Sequence, residues 1–574
     1  MSQKLVERLR AEFGDRILDA GSQHGDESVV VGREDLPAVA AHLKGREDCE
    51  LLLDVVGVDR SELPAHRDDP ERFEVVYNLR SLARNHRLLV KVRAGEGQDV
   101  PSLAGLYSSA NWAEREVYDL YGVRFRGHPD LRRILCHHEF EGHALRKDYP
   151  IERGQFLSVP EKLIQDHEIE RAAHRAEAAG GSVLPSDLLT VNIGPSHPAT
   201  HGALRAEVLL DGETIVEART EIGYLHRCFE KEAEDHTWAQ VMPYTDRLNY
   251  VSAMLNNCIY CAAVEKMFDA EIPPRARVVR VIVSELARII DHLVCVCANL
   301  VDLGALTNYW FFYNVRESIY YDVIEPLCGS RLTTNFTRIG GLGYDVFAGF
   351  EAAVERNLAK LETAIGEVTG LVARNRIFLD RTVGIGAMTP AQALDWGFTG
   401  PCLRATGLAY DVRKHAPYDG YETYDFDVPV GTAGDTRDRI MVRIEEMRQS
   451  SRIIRQALAR GLPGGPILAD DPRFALPPKE KVYGSIEGVM NQFKLIMEGA
   501  RVPAGEAYGF GEGGNGELGF YCVSDGGGRP YRVKVRPPCF PIFSAFGEMV
   551  KGLMIPDAVA ILGSINIIAG ELDR

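Results

Sequence analysis

The sequence predicts a multidomain α+β protein, and three observations lead to this fold class. A chain of 574 residues is too long for one hydrophobic core, so two or more domains are expected. Strand-like segments cluster near the N-terminus, whereas helical patterns recur further along the chain. The stretch Pro160–Ala179 is charged and alanine-rich, which is typical of an exposed helix in a linker. We predict a small α/β domain at 1–152, a helical linker at 153–186 and a second domain at 187–574.

Composition and charge exclude several classes of protein. Hydrophobic residues make up 45% of the chain and charged residues 26%, as in an ordinary soluble globular protein. The net charge of -17 argues against a nucleic-acid surface, which needs clustered lysine and arginine. Met1–Phe13 lacks the apolar core of a signal peptide, and no stretch is long and apolar enough to span a bilayer. We therefore expect membrane association only through a partner.

The first domain contains four segments whose apolar residues follow the pattern of β-strands. They are Ser28–Val31, Leu51–Val58, Phe73–Leu79 and Leu88–Val92, and an amphipathic helical pattern precedes them at Lys4–Phe13. Together these segments predict a compact α/β unit.

Two patterns in this domain imitate catalytic motifs. A zinc protease needs two histidines four apart on one helical face, but His138 and His143 are five apart and Gly142 breaks the helix between them. Glu114 and Glu116 are two apart, so their side chains do not share a helical face as an acid/base pair would require. We predict a structural or interface role for both glutamates.

The second domain begins with the stretch VNIGPSHPATHGALR at residues 191–205, which contains two histidines. A strand-like start breaks at a Gly-Pro pair, and period-two apolar residues resume from Leu204 up to an Asp-Gly hairpin signal. The pattern predicts two strands whose connecting loop carries His197 and His201. The residues alone leave two roles open, because the histidines either tie down the turn or carry chemistry.

The cysteines fit structural roles better than metal sites. Eleven cysteines are scattered along the chain, as expected of reduced thiols in a cytosolic compartment. Cys258 and Cys261 have CxxC spacing, but no second CxxC completes a four-thiolate site. We predict that this pair, and the CxC pair Cys295 and Cys297, are buried core thiols.

One glycine-rich segment imitates a dinucleotide-binding motif. Gly509, Gly511 and Gly514 match the pattern GxGxxG, which needs a strand before it and a helix after it. The segment Leu518–Ser524 that follows has the pattern of a strand. We interpret the glycines as a hairpin loop and expect no NAD site in this chain.

Several separated motifs occur in an order that is specific to one family. In the first domain they are Trp112–Glu116, Tyr118–Gly122, Gly127–Ile134 and Glu141–Pro150. In the second domain they are Ile222–His226, Pro243–Tyr250, Asp302–Thr307, Arg338–Gly341, Tyr410–Lys414, Gly420–Tyr424, Ser524–Gly527, Tyr531–Pro537 and Gly570–Arg574. The first set resembles the C-type component of NADH–quinone oxidoreductase (respiratory complex I), and the second set resembles its D-type component. The whole chain is similar to the fused C/D protein of some bacteria.

The resemblance implies a quinone site and the residues that form it. The D-type component carries no metal of its own and packs against a B-type subunit that holds the last iron–sulfur cluster, a [4Fe-4S] centre. The family's headgroup-binding histidine and tyrosine fall on His201 and Tyr250, and its coupling acid falls on Asp302. An imidazole and a phenol can donate hydrogen bonds and protons to the two carbonyl oxygens of a quinone, and a carboxylate stabilises the imidazolium. Arg247 matches the arginine that lies against the cluster, where a fixed positive charge favours reduction.

The resemblance also implies partners, a location and a fold. The partners are the B-, I-, G- and H-type subunits, and the chain is expected as a peripheral subunit on the cytoplasmic side of the bacterial inner membrane. The enzyme is then a proton-translocating NADH:quinone oxidoreductase. The second domain is expected to be mainly helical, like the large subunit of nickel–iron hydrogenases, with β-rich elements around its N-terminal hairpin and near Leu518–Val535.

Two other functions compete with this one. One is the large subunit of a nickel–iron hydrogenase, which holds its metals with two CxxC pairs. At the matching places this chain reads TDRLNY and GELDR, which contain no cysteine, so the ligands for those metals are missing. A non-catalytic structural or assembly subunit is the remaining alternative, although the presence of His201, Tyr250 and Asp302 argues against it.

Three positions depart from the family pattern. Ser196 stands where glutamine is usual, Asn249 where aspartate is usual, and Thr333 where a histidine normally hydrogen-bonds the terminal cluster. A protonatable partner of the cluster is therefore missing, and we expect a cluster potential that is lower or less dependent on pH than is usual. The sequence leaves open the quinone type, the electron donor and the proton stoichiometry.

Overall fold

The structure is a computed structural model that describes residues 2–67, 69–155 and 188–574. The predicted linker helix Pro160–Ala179 lies outside the described residues. Below, residues 2–155 are called the N-terminal region and residues 188–574 the C-terminal region. The chain is mixed α and β, with several small sheets and many helices. None of the described helices is both long and apolar enough to cross a bilayer.

The N-terminal region is built on a sheet of five strands, which are β1 (Ile17–Gln23), β2 (Asp26–Val31), β3 (Leu51–Asp59), β4 (Phe73–Ser81) and β5 (His86–Ala94). Their order in the sheet is β1-β2-β5-β4-β3. β2 and β5 are parallel, and the other neighbours are antiparallel. The helices of this region are Ser2–Phe13, Leu36–Arg46 and Ala110–Tyr121, and the short strands β6 (Val100–Pro101) and β7 (Phe125–Arg126) pair in parallel.

All four strands predicted for this region are confirmed, each within a few residues. β1 is not predicted from the sequence, because Ile17 is its only buried residue and the strand has no period-two apolar pattern. Pairing with β2, rather than burial of its own side chains, holds this edge strand in place.

The C-terminal region is organised around the helix Pro274–Asp302, which we call the central helix. It packs against the helices Ala253–Phe268, Leu306–Ile319, Thr436–Arg460 and Ile555–Ile565. An amphipathic pattern marks Arg280–Leu293 in the sequence, but every residue of this segment is buried. The polar residues bind buried partners instead of water, as Arg280 does by pairing with Glu265 at 2.6 Å.

The remaining helices of this region are short or lie further from the central helix. They are Phe229–Asp235, Met242–Thr245, Glu325–Cys328, Phe350–Val372, Arg376–Thr382, Pro390–Asp395, Gly400–Arg404, Val412–His415, Lys479–Gly484, Ile486–Met497, Cys539–Ser544, Phe546–Val550 and Ala569–Leu572. A π-helical turn at Tyr320–Ile324 continues the helix Leu306–Ile319.

The sheets of the C-terminal region are small and antiparallel. β8 (Leu188–Ile193), β9 (Arg205–Asp211) and β10 (Thr214–Glu221) form one sheet, β11 (Thr337–Arg338) and β12 (Gly341–Leu342) a second, and β13 (Gly505–Glu512), β14 (Glu517–Ser524) and β15 (Arg532–Arg536) a third. The predicted hairpin after Asp211 is confirmed, and the loop between β8 and β9 carries both histidines. β14 confirms the strand predicted at Leu518–Ser524.

The interpretation of the GxGxxG segment is correct for the hairpin but wrong for the position of two glycines. Gly509 and Gly511 lie within β13, and only Gly514 lies in the turn. A Cβ atom on Gly509 would lie 2.3 Å from the Cβ of Ala263, so glycine allows the helix Ala253–Phe268 to pack directly on the strand. The helix that a dinucleotide site requires after the motif is replaced by β14.

The four cysteines with motif-like spacing are core thiols, as predicted. Cys258 and Cys261 lie on one helix and Cys295 and Cys297 on the central helix, and all four are buried. The Sγ atom of Cys258 is 3.0 Å from the hydroxyl of Thr337, which gives that thiol a local hydrogen-bond partner. Among the described residues, no group of three or more His, Cys, Asp or Glu side chains is arranged to hold a metal ion.

The N-terminal and C-terminal regions share a buried, charged interface. Glu116 lies on a helix of the N-terminal region, and its carboxylate binds Lys534 at 2.5 Å and also Arg574, both from the C-terminal region. Arg87 on β5 reaches Glu517 on β14 at 2.7 Å. The predicted interface role of Glu116 is therefore confirmed.

Glu114 has a structural role inside the N-terminal region. Its carboxylate accepts hydrogen bonds from the hydroxyl of Ser102 at 2.5 Å and from the backbone N–H of Leu103 at 2.7 Å. Burial raises the pKa of Glu114 to about 7, and these hydrogen bonds act in the opposite direction. The carboxylate thus anchors a loop of the same region, in line with the structural role predicted for it.

Candidate functional site

The two histidines in the loop between β8 and β9 have different roles. Gly194 has a φ of 90°, and a Cβ atom there would lie 2.0 Å from the carbonyl oxygen of Leu204, so only glycine fits where the strand ends. The Nδ1 atom of His197 accepts a hydrogen bond from the N–H of Ala199 at 3.2 Å and caps the short turn that follows. His197 thus ties down the turn, whereas His201, with a φ of 55°, projects away from it to a distant partner.

That partner is Asp302, the last residue of the central helix. The Nε2 atom of His201 lies 2.7 Å from Oδ2 of Asp302, although 101 residues separate the two in the chain. The side chains are 21% and 16% exposed, so the pair is shielded but still accessible. A carboxylate at this distance orients the imidazole through a hydrogen bond.

Tyr250 lies in a 3-10 turn, Tyr250–Ser252, that packs against the central helix. The side chain of Asn249 caps this turn by accepting a hydrogen bond from the N–H of Val251 at 3.2 Å. Burial, and to a smaller extent the nearby charge of Asp291, raise the pKa of Tyr250 above its ordinary value. The phenol therefore stays protonated at neutral pH and remains a hydrogen-bond donor.

The elements that carry His201 and Tyr250 are both held by the central helix. The turn of Tyr250 packs on it directly, and the turn next to His201 packs on the helix Ile555–Ile565, which in turn packs on the central helix. The sequence groups these residues only by their resemblance to one family. The structure adds a hydrogen bond between two of them and a shared support for the third.

Arg247 and Thr333 line one open pocket of about 410 Å³. The Arg247 side chain is 43% exposed, and its Nη1 atom donates to the Pro243 carbonyl at 2.5 Å and to Asp246 at 2.8 Å. Burial raises the pKa of Asp246 to about 6, while the charge of Arg247 acts in the opposite direction. The two positions that the sequence assigns to the cluster environment therefore share one surface.

Two carboxylates of the site were not identified from the sequence. Asp246 binds Arg247, and Asp291 lies close enough to Tyr250 to act on its phenol. In the sequence Asp291 is only one of several polar residues that interrupt the apolar run Ile289–Leu306. Asp291 is fully buried, and a buried carboxylate needs hydrogen-bond donors. An acidic residue inside an apolar run was therefore the signal in the sequence that buried donors exist. The sequence cannot tell which donors these are.

Comparisons with known proteins agree on one family. The family described as "Respiratory-chain NADH dehydrogenase, 30 Kd subunit" matches residues 29–155, and the family described as "Respiratory-chain NADH dehydrogenase, 49 Kd subunit" matches residues 302–574. Over 391 residues, 68% of this chain and 96% of the relative, the chain is 52% identical to the D 1 subunit of NADH-quinone oxidoreductase from Sorangium cellulosum.

Two relatives match along nearly the whole chain. The C/D subunit of NADH-quinone oxidoreductase from Bdellovibrio bacteriovorus is 48% identical over 550 residues, which cover 96% of this chain and 95% of the relative. The C/D subunit from Chromohalobacter salexigens is 39% identical over 580 residues, which cover 99% and 97%. This protein therefore belongs to the family of fused C/D subunits of NADH-quinone oxidoreductase, as its motifs predicted.

Proposed function

We propose that this chain forms the quinone headgroup site of a proton-translocating NADH:quinone oxidoreductase, in the peripheral arm of that complex. The observation that carries the proposal is the hydrogen-bonded pair of His201 and Asp302, in which a largely shielded imidazole contacts a carboxylate. Family membership supports the reaction, and the pair supplies the chemistry that quinone reduction needs from the protein.

Reduction of a quinone to a quinol consumes two electrons and two protons. In the proposed site His201 and Tyr250 each donate a hydrogen bond to one carbonyl oxygen and then deliver a proton to it as negative charge develops. Asp302 stabilises the imidazolium before transfer and orients the ring afterwards. A [4Fe-4S] cluster held by a partner subunit would supply the electrons.

The surface around Arg247 is the proposed contact with that cluster-bearing, B-type subunit. Its guanidinium is partly exposed beside an open pocket, which suits a fixed positive charge facing a neighbouring protein. We further propose I-, G- and H-type subunits as partners, with the chain lying on the cytoplasmic side of the inner membrane and reaching the membrane through them.

The second candidate is a structural role without any part in quinone chemistry, and Tyr250→Phe separates the two. We expect quinone reduction by the assembled complex to fall at least tenfold, because the variant loses a hydrogen bond to the substrate, which contributes about 1.5 kcal/mol, and also loses a proton donor. The assay measures quinol formation with NADH as donor, alongside electron transfer to a water-soluble acceptor upstream of the site. The same substitution at the 88% exposed Tyr483 is the matched control. Unchanged quinone reduction in the Tyr250 variant would favour the structural role.

The threonine at position 333 leads to a second expectation. The potential of the partner's terminal cluster should change by much less than about 59 mV per pH unit, because the hydroxyl of Thr333 does not titrate near neutrality. An EPR redox titration of the assembled complex at several pH values measures this slope. Thr333→His is the matched variant, since histidine tolerates the left-handed backbone found there, with φ of 50°, and should introduce a pH-dependent slope. A full one-electron slope in the unaltered complex contradicts the expectation.

A further inference from the structure

Asp291 is a buried carboxylate in the middle of the central helix for which the proposed chemistry gives no direct role. It is 0% exposed, and within the described ranges its ion-pair contacts include no lysine or arginine. The nearest basic side chain is His292, whose Nδ1 atom lies 3.9 Å away and whose pKa is lowered by burial. The Nε2 atom of this imidazole is engaged by Glu446 at 2.8 Å, and the buried guanidinium of Arg443 acts on Asp291 only from beyond ion-pair distance. Hydrogen-bond donors next to the carboxylate are therefore needed, because a buried carboxylate without close partners is strongly unfavourable.

Two asparagines from distant parts of the chain provide these donors. The Nδ2 atom of Asn249 donates to Oδ1 of Asp291 at 3.2 Å. The Nδ2 atom of Asn566 lies 3.4 Å from both carboxylate oxygens and also donates to Asn515 at 2.6 Å. The carboxylate fills the space beside Gly514, where a Cβ atom would lie 2.1 Å from its Oδ2. The arrangement is thus closely packed around the carboxylate.

Asn249 connects this carboxylate to the turn of Tyr250. Its Oδ1 atom accepts from the N–H of Val251, while its Nδ2 atom donates to Asp291, so one amide holds the turn and the central helix together. Its backbone carbonyl accepts a further hydrogen bond from Asn256 at 2.9 Å. Asn249 is 2% exposed, and water cannot easily replace these partners.

We propose that Asp291 is a positioning residue of the quinone site, which holds the phenol of Tyr250 in place through the amide of Asn249. The inference rests on the proposed quinone function. It also gives a physical meaning to the amide at position 249, which is an aspartate in the usual family pattern. A carboxylate there would face Asp291 without a donor between them, and two carboxylates this close cannot both be ionised. The amide supplies the donor that this chain's Asp291 requires.

A reciprocal exchange of the two side chains tests the pair. In the assembled complex, Asn249→Asp is expected to lower kcat for quinone reduction about tenfold, and Asp291→Asn about threefold. A Tyr250 phenol that is out of position stabilises the transition state less, while the binding of quinone changes little. In the double variant N249D/D291N, the carboxylate now at position 249 again caps the turn and accepts from the amide now at position 291. Its kcat should return to within about threefold of the native value. The KM for quinone should change less than kcat in every variant.

Assembly is followed in each variant by electron transfer to the water-soluble acceptor and by the size of the complex. Asn249→Ser keeps a capping oxygen and is a milder variant that remains informative if a single charge change prevents folding. It should also lower kcat. Asp380→Asn, which removes an exposed carboxylate paired with Arg376, is the control.

The outcomes distinguish this proposal from the function on which it rests. If Tyr250→Phe lowers quinone reduction but the variants at 249 and 291 do not, or if the double variant is no better than the worse single one, the positioning role is overturned. If Tyr250→Phe has no effect, the quinone assignment fails, and the positioning role fails with it.

Discussion

Replacing Asp302 with asparagine is expected to lower quinone reduction by roughly a hundredfold, at the low end of what a positioned acid–base group contributes. An asparagine can still occupy the space and form one hydrogen bond with His201, but it cannot stabilise the imidazolium as the carboxylate does at 2.7 Å. The reduction in rate should appear in kcat, because the lost interaction is strongest when the imidazole is protonated for transfer. Steady-state quinol formation by the assembled complex measures it.

The controls for this prediction separate chemistry from assembly. Asp380→Asn removes a largely exposed carboxylate and should leave the rate unchanged. Electron transfer to a water-soluble acceptor upstream of the quinone should be normal in both variants. The combined variant His201→Gln with Asp302→Asn should be no slower than the worse single variant, because the two residues act as one unit. A normal quinone reductase rate in Asp302→Asn would refute the role of the pair.

The second large effect is expected on stability, from Glu116→Gln. This substitution leaves the buried ammonium of Lys534 and the guanidinium of Arg574 without the carboxylate that both contact. Removing one partner from a buried charged cluster typically destabilises it by about 3–5 kcal/mol. Two other acids remain in the cluster but compensate only in part. Asp54 has its Oδ1 3.9 Å from Lys534 and a pKa raised to about 6 by burial, and Glu230 has its Oε1 3.8 Å from Arg574 but binds Arg532 more closely, at 2.8 Å.

Hydrogen exchange of the full chain measures this local effect better than global unfolding, because a chain of 574 residues is not expected to unfold in two states. Exchange should accelerate in β15 and in the helix Ala110–Tyr121, which the ion pair of Lys534 and Glu116 joins across the interface. Glu34→Gln breaks an exposed pair with Arg126 and should leave exchange in both segments unchanged. Equal protection in the native and Glu116→Gln chains would show that the interface does not depend on this ion cluster.

Local sequence patterns are sufficient for much of the N-terminal region and fail where a strand buries few apolar residues. β3, β4 and β5 are apolar over consecutive positions and are found from the sequence, whereas the edge strand β1 has one buried residue and is not. The glycines of β13 show the same limit, because their need for a small residue arises from a helix that packs on the strand from another part of the chain.

The candidate site likewise has features that the sequence predicts and features that only the structure shows. The turn that presents His201 depends on neighbours within a few residues, so its glycine and its flanking strands can be read from the order of residues, whereas only the structure shows that His197 caps the turn. The departure at Asn249 is also visible in the sequence, but its meaning is not. That residue's partner, Asp291, lies 42 positions further along the chain, where it resembles a mere interruption of an apolar helix.

The linear sequence was enough to establish the family, the helices and strands with clear periodicity, and the loop that carries the histidines, because each of these depends on short-range spacing. The contacts of His201 with Asp302, of Asn249 with Asp291 and of Glu116 with Lys534 depend instead on how the central helix and the sheets pack. A hydrogen bond or ion pair needs its atoms within about 3 Å, and chain order places no such limit on residues that lie tens to hundreds of positions apart.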